Sequence, residues 1–164
     1  MPLVGIIAKR RECQAMKKEI KDKNIEIIEI TRESIKNLRN IGFEEIIFLQ
    51  KINLEEDEYK YMKEIISNTK YLIINGDIGI DILKNIKIEK PIKLITFGFN
   101  SKSTITISSV KEEKIIVCLQ RDIEKANGEI LESQEKEIII KENKNIYNNL
   151  VVFIIKEFHN QRKS

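Results

Sequence analysis

Residues 71–77 read Tyr-Leu-Ile-Ile-Asn-Gly-Asp, a short apolar run followed by a turn signal. A continuous apolar run such as residues 71–74 is typical of a strand that is buried on both faces of a sheet. Four further strand candidates lie at residues 3–8, 25–30, 45–49 and 92–97. Five such strands predict a sheet with helices packed on both faces.

Helical patterns separate these strands. Apolar residues recur at helical spacing in residues 12–21 and 55–69, and shorter helical patterns follow Thr31 and Asp77. We expect Thr31 to cap its short helix and Gly42 to end it. Because strands that alternate with helices pair in parallel, the sequence predicts an α/β fold with a mostly parallel, Rossmann-like or P-loop-type sheet.

The pattern changes after residue 100. Residues 103–109 alternate Thr or Ser with Ile, and residues 114–122 and 137–141 are further strand candidates. Asn127-Gly128 is a turn signal between the last two. These segments predict a C-terminal antiparallel β-appendage.

A final helix is predicted over residues 144–158, where apolar residues recur with a period of about 3.6. We expect a single domain over residues 1–164. Its predicted parts are a parallel α/β region (1–100), the β-appendage (101–143) and the closing helix (144–158).

Composition and charge exclude several classes of protein. The 29 Lys and Arg residues are spread among 26 Asp and Glu, so no basic surface indicates nucleic-acid binding. No apolar run approaches the roughly 18 residues of a membrane span. Residues 1–10 lack the charged first region of a signal peptide, which predicts a cytoplasmic location. Cys13 and Cys118 lie far apart, and we expect both to be reduced and packed.

The residues that usually carry catalysis are sparse, and the sequence predicts no catalytic residue. The single histidine, His159, falls near the end of the last helix and is expected at the surface, away from any pocket. No His, Cys, Asp or Glu cluster has the spacing of a metal site. Ser108 and Ser109 lie in a strand without the Gly-x-Ser-x-Gly context of a nucleophile.

Polar residues follow two neighbouring predicted strands. Asn75 and Asp77 end one strand, and Asn100 and Lys102 follow the next. Ligands of open α/β sheets bind at the carboxyl ends of the strands, so these four residues are candidate ligand contacts. The alternative is that Asp77 only caps the following turn or helix.

The loop after the first strand is a second candidate. Lys9 and Arg10, followed by Arg11, could hold an anion at the start of the next helix. The alternative is that they are solvated residues at a helix start, where positive charge is slightly unfavourable. Only Gly5 is present and no Gly-Lys-Ser/Thr follows, so the loop is not a P-loop.

Four stretches resemble the central ATPase domain of the Mur ligases, the enzymes that add amino acids to the UDP-linked muramyl precursor of peptidoglycan. The segment 71–77 resembles the end of a strand in that family. Residues 94–100, Leu-Ile-Thr-Phe-Gly-Phe-Asn, resemble the family's next motif, and residues 104–106, Thr-Ile-Thr, resemble the start of its β-rich region. Asn-Ile-Tyr-Asn-Asn-Leu at 145–150 resembles the opening of the family's last helix. The resemblance covers residues 45–158.

The resemblance implies that Asn148, with Asn145 beside it, contacts an adenine, because the family has an Asn at the start of this helix. An amide offers both a donor and an acceptor to an adenine edge. ATP or ADP is the one cofactor that the resemblance suggests. The alternative for Asn145 is a helix cap.

The chain also departs from the family. The Gly-Thr-Asn-Gly-Lys-Thr loop is absent, and Ile78 stands where the family has a second Asp. The family's magnesium-binding Glu and His and its carbamate-bearing lysine have no convincing counterpart, and we expect the family's two flanking domains to be missing. Losing phosphate positioning and charge neutralisation removes most of what makes phosphoryl transfer possible.

We therefore expect a shortened, non-catalytic relative, a binding or regulatory module that contacts a protein partner linked to cell-wall synthesis. One alternative is a residual adenine-nucleotide-binding protein, and another is a small-ligand enzyme that uses the edge near Asn75 and Asp77. A third is a structural subunit that self-associates.

Overall fold

The computed structural model describes residues 1–20, 24–140 and 145–159. The predicted element ends at residues 21, 141 and 144 lie outside these ranges. In the described residues, the main sheet consists of eight strands: β1 (Leu3–Ile7), β2 (Glu26–Glu29), β3 (Glu45–Phe48), β4 (Tyr71–Asn75), β5 (Lys93–Gly98), β6 (Ile105–Val110), β7 (Lys114–Leu119) and β10 (Gln134–Ile139). A separate antiparallel pair is formed by β8 (Ile123–Glu124) and β9 (Ile130–Leu131).

The strand order is β10-β7-β6-β5-β4-β3-β1-β2. The strands from β2 to β6 pair in parallel, and β7 and β10 continue the same sheet in antiparallel pairing. The order reverses between β1 and β3, and ligands of such sheets bind outside the carboxyl ends near this reversal. The predicted fold class, a mostly parallel α/β sheet with an antiparallel region and a final helix, is confirmed.

Three α-helices lie within the described residues: α1 (Arg10–Glu19), α2 (Tyr59–Ser67) and α3 (Ile146–His159). Helices α1 and α3 pack on one face of the sheet through Cys13, Met16 and the apolar side of α3. Helix α2 packs on the other face through Met62, Ile65 and Ile66. This arrangement follows from the strands, whose alternate Ile, Leu and Val side chains point to opposite faces. None of these helices is both long and apolar enough to cross a membrane.

Two predicted short helices are corrected. The segment after Thr31 forms only a 3-10 turn, Ile35–Asn37, and the segment after Asp77 forms the 3-10 turn Ile80–Lys84. The backbone N–H of Ser34 donates to the Thr31 hydroxyl (3.2 Å), and the backbone N–H of Thr31 donates to the Ser34 hydroxyl (2.9 Å). Such local side-chain bonds compete with helical ones, which explains why no α-helix forms there.

The two cysteines fit their predicted environments to different degrees. Cys13 is fully buried in α1, and burial raises the pKa of its thiol to about 11. Its thiol therefore stays protonated and packs as a small apolar group. Cys118 is only half-buried in β7.

Candidate functional site

Asn75 connects the carboxyl ends of two central strands. Its side chain is fully buried, and its Nδ2 donates to the carbonyl of Leu49, which follows β3 (3.2 Å). Its Oδ1 accepts a hydrogen bond from the backbone N–H of Asp77 (3.0 Å). Both ends of the amide are therefore engaged within the protein.

Asp77 is the centre of a second set of hydrogen bonds, which we call the Asp77 clasp. Its Oδ2 accepts from the backbone N–H of Phe99 (2.7 Å) and its Oδ1 from the backbone N–H of Asn100 (2.9 Å). The hydroxyl of Tyr147, in the first turn of α3, donates to Oδ2 (2.8 Å). The carboxylate thus joins the loop after β4, the loop after β5 and α3.

Of the two other predicted edge residues, Asn100 joins the clasp through its backbone N–H, whereas Lys102 bonds to Asn100 and not to Asp77. Asn100 Oδ1 accepts from the backbone N–H of Lys102 (2.9 Å), and both side chains are exposed. The structure therefore brings Asn75, Asp77 and Asn100 together at one edge, as predicted. The Asp77 carboxylate accepts hydrogen bonds from the loop after β5 and from α3, so it does not cap the turn that follows it, and the capping alternative for Asp77 is corrected.

Tyr147 is a member of the clasp that the sequence pattern did not single out. Burial, together with the hydrogen bond to the Asp77 carboxylate and its negative charge, raises the pKa of the Tyr147 hydroxyl to about 12. The hydroxyl therefore remains protonated and donates over the whole neutral range. Its ring also packs edge-on against Phe99, with centroids 5.9 Å apart.

Asp77 and Tyr147 are expected to be coupled energetically. Tyr147→Phe should lower the free energy of unfolding by about 1 kcal/mol in the wild-type background, because a carboxylate then loses a hydroxyl donor at an exposed site. In an Asp77→Asn background the same change should cost less, with a coupling of about 0.5–1 kcal/mol. Urea denaturation of the two single variants and the double variant measures this value. Strictly additive effects would contradict the coupling.

A groove of about 460 Å³ lies between α1 and α3, and we call it the α1–α3 groove. Lys9 and Arg11 line it at the start of α1, and Asn145 and Asn148 line it at the start of α3. Arg10, the second predicted anion contact, is absent from the lining. The groove therefore brings one predicted anion contact to the two predicted nucleotide contacts, although they are distant in sequence.

The start of α1 makes one end of the groove electropositive. Lys9 precedes the helix in an extended conformation and makes no side-chain hydrogen bond to cap it. The first N–H groups of a helix lack helical partners, and the helix dipole adds partial positive charge there. Glu12 and Glu19 line the groove further along α1, so the positive character is confined to its Lys9 end.

The two asparagines of α3 have different roles. Asn145 Oδ1 accepts from the backbone N–H of Tyr147 (2.8 Å), which is a helix-cap hydrogen bond and agrees with the alternative stated for Asn145. Asn148 Oδ1 is buried and has no hydrogen-bond partner among the described residues. An acceptor left in this state costs about 1–3 kcal/mol, and a bound donor removes that cost.

His159 corrects the expectation of a surface histidine. Its side chain is only 7% exposed, and its Nε2 lies 2.7 Å from Oε1 of Glu45, which is fully buried at the start of β3. Burial raises the pKa of the Glu45 carboxyl, and the hydrogen bond and charge of His159 offset part of this rise. A glutamate at the first position of the predicted strand 45–49 was the available signal, but its partner lies far along the chain.

No family model matches the sequence, and no curated protein matches it. On comparison with solved structures, the fold of this chain is similar to that of MurF. The crystal structure of MurF from Acinetobacter baumannii matches with a TM-score of 0.55 and 7% identity, over 94% of this chain and 42% of the MurF chain. The chain thus spans less than half the length of MurF, and the likeness concerns the fold alone.

Proposed function

We propose that this protein is a non-catalytic, Mur ligase-like module that binds an adenine nucleotide in the α1–α3 groove. The observation that supports this most strongly is the buried Oδ1 of Asn148, which has no hydrogen-bond partner among the described residues and lies in a groove that Lys9 and Arg11 also line. An adenine amino group would supply the missing donor. The two basic side chains and the start of α1 would take the phosphates.

The proposal excludes phosphoryl transfer because of the residues that are present. The segment between β1 and α1, residues 8–9, has no Gly-rich phosphate loop, and Arg10 and Arg11 follow where such a loop would have Lys and Ser or Thr. Among the described residues, no group of three or more His, Cys, Asp or Glu could hold the magnesium ion that the resemblance implies.

The remaining parts of the proposal rest on the resemblance and the fold. A module of this kind would act in the cytoplasm by binding, with a protein partner among the enzymes that build the peptidoglycan precursor, or with another copy of itself. Nucleotide occupancy would then regulate that contact. The small-ligand enzyme is the weaker reading, because both oxygens of Asp77 and both ends of the Asn75 amide already bond within the chain.

A thermal-shift titration with ATP, ADP and UDP-sugar precursors, with and without Mg²⁺, tests the proposal. We expect ATP to raise the unfolding midpoint saturably, since a ligand at 100 times its Kd adds about 2.7 kcal/mol of stability. Asn148→Ala should abolish the shift and Arg11→Glu should weaken binding at least about tenfold. Asn37→Ala, an exposed asparagine in a 3-10 turn, is the matched control and should leave the shift unchanged.

Two outcomes would contradict the proposal in different ways. An unchanged midpoint with every nucleotide, or an equal shift in Asn148→Ala, would remove the nucleotide site and leave a protein-interaction role. Magnesium-dependent ATP hydrolysis that co-purifies with the pure protein would instead show that the module is catalytic.

A further inference from the structure

The Glu45–His159 pair fastens the end of α3 to the middle of the sheet. Glu45 is the first residue of β3, which lies between β1 and β4, and His159 is the last residue of α3. The paired side chains are 0% and 7% exposed, and Nε2 and Oε1 are 2.7 Å apart. Phe158, the residue before His159, packs against Tyr71 with tilted rings whose centroids are 5.4 Å apart. This polar contact and this aromatic contact help to hold the last turn of α3 on the sheet, together with its buried side chains Ile155 and Phe158.

The surroundings of Glu45 leave its buried carboxylate dependent on the hydrogen bond and charge of His159. Its second oxygen, Oε2, is buried and has no hydrogen-bond partner among the described residues. The neighbouring Glu44 is a like charge that is ion-paired with Lys70 (3.1 Å), and it lines one cavity with His159 and the chain end at Met1. On α3, Glu157 is ion-paired with Lys136 of β10 (2.8 Å).

Lys156 lies one turn before His159 on α3, and Met1 lines the same cavity as His159. No hydrogen bond or ion pair joins either of them to Glu45 within the described residues. Among the described residues, the proton shared with His159 is therefore what offsets the negative charge of the buried Glu45 carboxylate by direct contact. The carbonyls at the end of α3 also favour a cation at this position.

We propose that the Glu45–His159 pair is a proton-dependent latch that holds the last turn of α3 on the sheet and releases it as the pH rises. With one proton between them, the two side chains are neutral overall and hydrogen-bonded. When that proton leaves, a negative charge remains buried without compensation, and exposing it to water becomes favourable.

The direction of the pH dependence follows from linkage. Burial raises the pKa of Glu45 above the ordinary value of about 4.3, so the closed latch holds its proton more tightly than the open one. The contribution is fully present below the ordinary carboxyl pKa and is lost as the pH rises through the raised pKa of Glu45. Helix α3 also carries Asn148, so release should weaken nucleotide binding, a consequence that rests on the proposed function.

Hydrogen exchange of the backbone amides of residues 155–159 in the full chain tests the latch directly. After correction for intrinsic exchange, wild-type protection should fall by up to about tenfold per pH unit in the range where the pair loses its proton. Glu45→Gln keeps the shape and a hydrogen bond to His159 but carries no charge, so its profile should be flat. Glu157→Gln, which removes the more exposed ion pair on the same helix, is the matched control and should keep the wild-type profile.

The hydrogen-exchange measurement uses no nucleotide. The latch and the nucleotide site can therefore be contradicted independently of each other. Wild-type protection that is constant from about pH 5 to pH 9 would overturn the latch without any variant. A Glu45→Gln profile as steep as that of the wild type would overturn it as well. A flat exchange profile for Glu45→Gln, combined with a nucleotide-induced thermal shift that does not vary with pH, would support the latch. It would contradict only the proposed effect of the latch on nucleotide binding in the α1–α3 groove.

Discussion

Asn75→Asp is expected to lower the free energy of unfolding by about 3–5 kcal/mol at neutral pH, because it places an uncompensated charge in the protein interior. The two side chains have nearly the same shape, so packing is preserved. The variant loses the Nδ2 donor to the Leu49 carbonyl and turns a carboxylate oxygen toward that carbonyl, at a site with 0% exposure. The carboxylate oxygen can still accept from the Asp77 N–H.

The pH dependence of this variant distinguishes charge from shape. Burial raises the pKa of the introduced carboxyl, so its neutral form is favoured in acid and the destabilisation should be smaller at pH 4 than at pH 7. Urea denaturation at both values measures the difference. Asn37→Asp, at an exposed position, is the control and should change stability by less than about 0.5 kcal/mol. An Asn75→Asp cost that matches this control would show that the amide does not connect β3 and β4.

The central strands β3 and β4 were predictable because each is a nearly continuous apolar run that is buried along its length. Residues 45–49 and 71–74 were predicted, and the strands are Glu45–Phe48 and Tyr71–Asn75. A strand buried on both faces is specified by its own composition, so local sequence suffices. The short helix after Thr31 was predicted wrongly because hydroxyl side chains there bond to the nearby backbone, an outcome that apolar periodicity does not report.

The site was predictable only where chain topology decides proximity. Carboxyl ends of neighbouring parallel strands meet at one edge, so the grouping of Asn75, Asp77 and Asn100 followed from the strand order. Tyr147 also donates a hydrogen bond to Asp77, but it is 70 residues from Asp77 in the chain, and no local pattern identifies it. His159 illustrates the same limit, because its burial depends on a partner 114 residues away.

Gly98 sits where the Asp77 clasp closes over the end of β5. Its φ of +142° is a backbone conformation that residues with a Cβ rarely adopt. A Cβ at this position would lie 2.5 Å from Asp77 Oδ2, the oxygen that accepts from Phe99 and Tyr147. Gly98→Ala should therefore lower the free energy of unfolding by about 2–4 kcal/mol, the sum of backbone strain and displaced hydrogen bonds.

Two comparisons separate the strain from the collision. Gly128 also has a positive φ, +86°, but no atom within 4 Å of an added Cβ, so Gly128→Ala should cost only the strain, about 1 kcal/mol. In an Asp77→Ala background, where the carboxylate is gone, Gly98→Ala should cost about as much as Gly128→Ala. Urea denaturation of the four variants measures both values. If Gly98→Ala lowered the free energy of unfolding by the same amount in the Asp77→Ala background, Gly98 would be required by the backbone conformation of β5 alone. The Asp77 clasp would then place no constraint on residue 98.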